Sequence, residues 1–295
     1  MPAQVGHRGK RVRIESIPVR KSTYAEIAAR SRQLREVLAE RNVRFHRDSA
    51  LGKLLRDAES LAREWDEGNR TQEFRRLVNA AHANRIAEAI LAVRNDAGAQ
   101  QCLSRIAGND MNLSGRVPSQ GKDHLWELDF LYVLLRHGFA AKLVDPPDIV
   151  IDLCVSPFPV ACKKIYSEKG VEAQLRKAVK QLAQHGSGGL VALNIDDLVP
   201  DDTVLQSRDR REASDFLNKF NEGFVERHRL NLQRFVKDRR CDGILISTSV
   251  LADLKNSKPR FNLLTESMLW TLDSVPPETA ARIAELRKGL LSSSI

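Results

Sequence analysis

The chain has 295 residues, of which 42% are hydrophobic, so it can bury a real core as one large domain or two modest ones. It contains no run of about 18 apolar residues and no secretion-type apolar stretch near its start, so we expect a cytoplasmic protein without a membrane partner. The four cysteines stand singly, without a CxxC pair or a histidine at ligand spacing. The sequence therefore predicts neither a zinc site nor a disulfide framework.

The first predicted element is a basic arm over residues 1–21. Basic side chains outnumber acids strongly there, and the apolar residues show no period, which is typical of a flexible segment. The formal net charge of the whole chain is +9, and basic groups gain affinity for polyanions by displacing counterions from phosphates. The candidate phosphate contacts in the arm are Arg8, Lys10, Arg11 and Arg13.

Residues 22–107 predict a helical region. Thr23 and Glu26 have the T-x-x-E spacing of a capping box, which predicts a helix from there to about residue 42. Apolar residues at helical spacing over 51–65 and 74–93 predict two further helices. These helices offer a surface for a partner protein or for a second copy of the chain.

A stretch rich in Gly, Asn, Ser and Pro over residues 108–121 predicts a loop and a domain boundary. Beyond it, apolar runs alternate with amphipathic helices, which predicts an α/β domain over residues 122–275 and a C-terminal helix or tail over 276–295. The predicted order is a helix at 123–137, strands at 139–143, 148–155 and 160–165, a helix at 168–184, a strand at 190–195, a helix at 212–239 and a strand from 242.

An acid and a lysine lie on neighbouring predicted strands. Asp148 begins one strand, and Lys163 lies in the next, across a short turn that contains two prolines. Hairpin strands would bring both side chains to one edge of the sheet. A carboxylate can hold Mg²⁺, which neutralises a scissile phosphate and lowers the pKa of bound water, and a lysine can orient or deprotonate that water. The pair therefore points to metal-dependent phosphodiester hydrolysis.

The succession of Glu127 in a helix, Pro147-Asp148-Ile149-Val150, the run VACKK and a helix ending in KAVKQL resembles the PD-(D/E)xK nuclease superfamily over residues 122–250. The resemblance implies a restriction-endonuclease-like mixed central sheet flanked by helices, Mg²⁺ or Mn²⁺ as cofactor, and duplex DNA as substrate, in defence or DNA processing. It also implies that Asp148 is a metal ligand and that Lys163 positions the water. Lys164, on the alternate strand face, is expected to be a solvated charge and, with Gln181, a candidate contact to nucleic acid.

One residue departs from the superfamily pattern. Ala161 stands where relatives carry Glu or Asp, on the same strand face as Lys163 because side chains alternate with a period of two. A methyl group cannot bind a metal. The resemblance offers Glu127, on the preceding helix, and Glu172, near the start of the following helix, as replacement ligands and catalytic carboxylates.

Two other classes of function stay open. The first is a catalytically inactive nuclease-fold protein that binds nucleic acid or a protein partner through the same basic surface, and Ala161 is its main support. The second is a helical interaction protein in which the arm contacts acidic proteins and the α/β domain is a scaffold. Aromatic residues make up only 5% of the chain, so phosphate contact with a duplex fits better than base stacking on single strands.

Overall fold

The computed structural model describes residues 9–14, 22–69, 73–186 and 188–292. It is a mixed α/β fold, in which an open sheet of eight strands has helices packed on both faces. The predicted α/β class is therefore confirmed. Arg8 lies outside the described residues, as do residues 15–21 of the predicted arm. Within the described ranges, no helix combines the length and the apolar character that a membrane span requires.

The helices are α1 (Tyr24–Glu40), α2 (Ala50–Asp66), α3 (Phe74–Ala92), α4 (Ala99–Gly108), α5 (Gln120–Arg136), α6 (Val171–Leu182), α7 (Arg210–Lys237) and α8 (Pro277–Leu291). The capping box at the start of α1 is confirmed, because the Glu26 N–H donates to Thr23 Oγ1 at 3.2 Å and the Thr23 N–H donates to Glu26 Oε2 at 2.7 Å. Helix α4 is absent from the sequence prediction, because its 10 residues are too few to show a clear helical period.

The strands are β1 (Gly9–Ile14), β2 (Ala141–Leu143), β3 (Ile149–Asp152), β4 (Pro157–Lys164), β5 (Leu190–Asn194), β6 (Val204–Ser207), β7 (Gly243–Leu254) and β8 (Phe261–Leu272). Their order is β1-β8-β7-β5-β4-β3-β2, and β6 pairs with β7 outside this path. Strands β4, β5 and β7 run parallel to one another, whereas the β2–β3–β4 and β7–β8–β1 pairs are antiparallel. The sheet is therefore parallel at its centre and antiparallel towards both ends.

The flexible arm predicted from composition is wrong for residues 9–14, which form β1 and pair with β8. The basic side chains of this strand meet acids on α7. Arg11 forms an ion pair with Glu226, and Arg13 Nη2 lies 3.0 Å from Glu222 Oε1. Hydrogen bonds to β8 and these ion pairs order a segment whose composition alone indicates a tail.

Each face of the sheet has its own apolar layer. Helices α1 to α5 and α8 pack on one face, where Val160 and Cys162 of β4 are buried. Helices α6 and α7 pack on the other face, where Ala161 lies beneath Leu175 and its neighbours. Burying a Leu or Phe side chain contributes about 1.5–3 kcal/mol relative to leaving it exposed. Strand β4 is thus a central strand, covered on both sides.

Candidate active site

A cleft with a volume of ≈ 330 Å³ lies at the end of β4, where residues from both sides of the sheet meet. Helices α4 and α5 form one wall, and α6 forms the other. The segment between β2 and β3 contributes Asp148, the residue just before β3. Of the residues that line the cleft, the sequence predicts Glu127, Asp148, Lys163, Lys164 and Gln181 as functional.

Asp148 is the centre of a hydrogen-bonded group. Its Oδ2 accepts from the Cys162 N–H at 2.6 Å and from Lys163 Nζ at 3.2 Å, and its Oδ1 accepts from Gln181 Nε2 at 3.2 Å. Burial raises the pKa of Asp148 to about 6, while the Lys163 ammonium acts to lower it and the nearby Glu127 carboxylate acts to raise it. The predicted meeting of Asp148 with Lys163 is therefore present, and Gln181 joins it from α6.

The two lysines of β4 differ from the expectation. Lys163 Nζ donates to the Cys162 carbonyl oxygen at 2.6 Å as well as to Asp148, and its side chain is 16% exposed. Lys164 is the more buried of the two; its Nζ donates to Asn194 Oδ1 at 2.7 Å and forms an ion pair with Asp197. The expectation of a solvated Lys164 is wrong, because the side chain is buried and Asn194 and Asp197 hold its ammonium. Its contact to nucleic acid stays a prediction.

Glu127 lies in the cleft together with two residues that the sequence did not single out. Its Oε2 lies 2.9 Å from His124 Nδ1 and 3.5 Å from Cys102 Sγ. Burial acts to lower the pKa of His124, but the hydrogen bond to Glu127 together with the charges of Glu127, Asp123 and Asp148 outweighs burial and raises this pKa. Burial and the Glu127 charge also raise the pKa of the Cys102 thiol.

The sequence shows no histidine at ligand spacing from a cysteine, but the fold brings His124 to 3.6 Å from the Cys102 sulfur. His124 and Glu127 are three residues apart on α5, a spacing that places side chains on one face of a helix. That spacing is the signal by which the pair could have been found. Cys102 reaches the pair from α4, and no local pattern indicates how α4 packs on α5.

Glu172 does not line the cleft. Its Oε1 accepts from Arg176 Nη2 at 2.6 Å and from Arg234 Nη2 at 2.9 Å, on a surface shared by α6 and α7. These hydrogen bonds lower the pKa of Glu172. Helix α6 turns this side chain towards α7, so the cleft lends no support to Glu172 as a metal ligand and catalytic carboxylate, which stays a prediction.

Three of the other residues predicted to contact nucleic acid have partners within the protein. Gln181 uses its Nε2 on Asp148, and its Oε1 is buried without a hydrogen-bond partner among the described residues. Lys10 is exposed on β1, whereas Arg11 and Arg13 are held by the acids of α7. The ordered part of the arm therefore offers Lys10 as its solvated lysine.

A scan of protein-family models, a search of curated proteins and a search of solved structures each find no match to this chain. Interpretation of the cleft therefore depends on its own contacts. It brings together the carboxylates of Asp148 and Glu127, the Lys163 ammonium and the Gln181 Oε1, which has no hydrogen-bond partner in the described part of the chain. Such a group can bind a cation and can hold a phosphate oxygen or a water molecule.

Proposed function

We propose that the chain is a metal-dependent nuclease of the restriction-endonuclease type, which hydrolyses DNA phosphodiester bonds in this cleft. The observation that carries the proposal is the buried Asp148 carboxylate, held by Lys163 and Gln181 with Glu127 close enough to act on its pKa. Perturbed ionisable groups that converge in a cleft are typical of catalytic sites. The helix, Asp148 strand and Lys163 strand also follow in the order of the PD-(D/E)xK superfamily.

The oxygen donors of the cleft fit Mg²⁺ or Mn²⁺. Magnesium is usually held by one or two protein carboxylates, with water and substrate phosphates completing its six ligands. Asp148 and Glu127 are two such carboxylates, and the buried, unpartnered Oε1 of Gln181 is a third oxygen donor. When bound, the cation would neutralise phosphate charge and lower the pKa of water.

The protein's own groups have separate tasks in this proposal. The Cys162 N–H and the Gln181 amide fix the orientation of the Asp148 carboxylate. Lys163 is only partly buried, and its ammonium lies beside Asp148, where it can donate to a phosphate oxygen or orient a water molecule. Glu127 adds a second negative charge from α5. The two carboxylates offer oxygen ligands to a cation beside the Lys163 ammonium.

Helix α6 offers a contact surface for a DNA backbone. Gln174 and Gln181 line the cleft, and Lys177 is exposed between them on the same stripe, at spacings of three and four residues. An exposed lysine beside a cleft can contact a phosphate next to the reacting bond. This position, with the net charge of +9, supports a polyanionic substrate.

The experiment is a cleavage assay with plasmid and linear duplex DNA in Mg²⁺ or Mn²⁺. We expect cleavage by the native chain and a loss of about 10²–10⁴-fold in Asp148→Asn and Lys163→Met, the range typical of a positioned acid or base. Asp152→Asn and Lys180→Met are matched controls, because both residues are exposed outside the cleft. Equal cleavage by all five proteins would assign the activity to a contaminant and reject the proposal.

A catalytically inactive nuclease-fold protein that binds nucleic acid is the second candidate. The observation that favours it is Ala161, which is fully buried in the apolar layer beneath α6 and α7. The carboxylate that superfamily members carry there is replaced by a methyl group that packs in this apolar layer. Binding of duplex DNA without cleavage, equal in the native chain and in Asp148→Asn, would establish this candidate instead.

A further inference from the structure

Three different ligand types converge at the α4–α5 side of the cleft. Cys102 Sγ lies 3.6 Å from His124 Nδ1 and 3.5 Å from Glu127 Oε2, and the nitrogen and the oxygen are 2.9 Å apart. All three atoms lie within 4.8 Å of one another. Cys102 is buried, and the side chains of His124 and Glu127 are 20% and 13% exposed. The group is therefore sheltered but open to the cleft, which all three residues line.

The size of this triangle suits a small tetrahedral cation. With a metal–sulfur distance of about 2.3 Å and metal–nitrogen or metal–oxygen distances of about 2.0–2.2 Å, two ligand atoms on tetrahedral Zn²⁺ lie about 3.3–3.6 Å apart. The two distances from sulfur fall in this range. The nitrogen–oxygen distance is shorter because these two atoms are hydrogen-bonded, and a modest side-chain rotation opens it.

The donor types select the class of metal. Thiolate and imidazole ligands favour zinc and related transition metals, whereas Mg²⁺ and Ca²⁺ prefer oxygen ligands. We propose that Cys102, His124 and Glu127 form a Zn²⁺ site, with Sγ, Nδ1 and Oε2 as the ligands. Three protein ligands leave a fourth position for water or a substrate atom, which is the arrangement of catalytic rather than structural zinc sites. The water or substrate atom in this fourth position would enter from the cleft, on the side of Asp148.

This site does not depend on the nuclease proposal, because zinc binding requires no DNA. It uses Oε2 of Glu127 and leaves Oε1 of the same carboxylate for the Asp148 side of the cleft. The zinc site also links α4 to α5 through side chains of both helices. Zinc binding should therefore stabilise the packing of these two helices.

The test measures metal binding by the full-length chain without nucleic acid. Co²⁺ is added to the metal-free protein as a spectroscopic substitute, and Zn²⁺ is then titrated to displace it. We expect one Co²⁺ per chain, a thiolate-to-cobalt charge-transfer band in the near ultraviolet, and its loss in Cys102→Ser. Cys154→Ser is the matched control, because Cys154 is exposed and lies outside the cleft. The control should keep the band.

A second variant protects the test against misfolding of a buried substitution. In His124→Gln, which changes a less buried ligand, we expect Zn²⁺ affinity to fall by at least about 100-fold, more than the loss of an outer hydrogen-bond partner costs. Zn²⁺ should raise the melting temperature of the native chain but not of either ligand variant. A charge-transfer band that survives Cys102→Ser, or that disappears instead in Cys162→Ser, would overturn the proposal. So would the absence of stoichiometric binding by a folded native chain.

Discussion

Two buried charged clusters lie on either side of α5, and they differ in how completely their charges are paired. The first, the closed cluster, consists of Arg85, Lys122, Lys164, Asp129, Asp196 and Asp197. Its cations and acids are equal in number, and the space left among them is only ≈ 20 Å³. The second is the cleft of ≈ 330 Å³, where Asp148 is paired with the Lys163 ammonium and Glu127 with the His124 imidazole.

Pairing offsets burial to different extents among these acids. Burial acts to raise the pKa of Asp196, but the charges of Arg85 and Lys164 and the hydrogen bonds of Asp196 together lower that pKa. Burial raises the pKa of Asp129, in the same closed cluster, to about 6 although Arg85 pairs it. Burial raises the pKa of Asp148 to about 6, because Lys163 compensates for only part of it. Each acid of the closed cluster is thus paired with a Lys or Arg of that cluster, whereas in the cleft Glu127 is paired with a titratable imidazole.

The largest expected effect comes from opening the closed cluster. Arg85→Met removes the group that donates to Asp129 at 2.7 Å and to Asp196 at 3.1 Å. Leaving buried acids unpaired should lower the free energy of unfolding by about 3–5 kcal/mol. Chemical denaturation measures this loss, with Arg75→Met, an exposed change on the same helix, as the control. A loss below about 1 kcal/mol would mean that water compensates the acids and that the two clusters are alike.

A smaller change in the free energy of unfolding, an increase rather than a loss, is expected from Asp148→Asn. The pKa of Asp148 rises from 3.8 to about 6 on folding, so its favourable contribution is complete below the unfolded value and is lost as the pH rises through about 6. Asp148→Asn has no carboxyl group to titrate, so it does not lose this contribution as the pH rises. Relative to the native chain, its free energy of unfolding should therefore increase by on the order of 2 kcal/mol between about pH 4 and pH 7.

Denaturation curves across this pH range measure the difference, with Asp152→Asn, an exposed acid at the end of the strand that follows Asp148, as the control. Parallel pH profiles for the native chain and Asp148→Asn would show that Asp148 is solvated. The cleft would then lack the desolvated carboxylate on which its comparison with the closed cluster depends.

The smallest effect, on cleavage rate and metal affinity, is expected from a change at Glu172. Its ion pairs with Arg176 and Arg234 are on the surface, where solvent and salt screen them. Glu172→Gln should leave cleavage rate and metal affinity unchanged, whereas Glu127→Gln should reduce both. A cleavage rate that falls equally in the two variants would return Glu172 to the site and contradict its position on α6.

Local sequence patterns were sufficient for much of this fold. The T-x-x-E box of Thr23 and Glu26 identified the start of α1, and the apolar run of β5 identified a central strand. Patterns failed where order depends on distant partners. Strand β1 requires β8 and the acids of α7, and nothing within the first 21 residues indicates either.

The residues of the candidate site are likewise divided between those that local patterns placed correctly and those whose positions depend on distant partners. The strand period placed Lys163 and Asp148 together, because hairpin neighbours are a local matter. The period also placed Lys164 on the opposite face, but it could not show that α5 and the residues around Asp197 cover that face. Cys102 lines the cleft only because α4 packs on α5. Glu172 lies outside the cleft because its carboxylate accepts from Arg234, which lies far along the chain on α7.

Strand β1 also has a consequence for association between molecules. It covers the outer edge of β8 from Ser267 to Leu272, where Met268 and Trp270 are buried. Gly9 fits there because an added Cβ would approach the Trp270 indole to 2.5 Å. Without β1, this length of β8 would expose unpaired N–H and C=O groups beside apolar side chains, a template for strand addition by another chain. A basic segment that looks like a tail thus protects the sheet against aggregation.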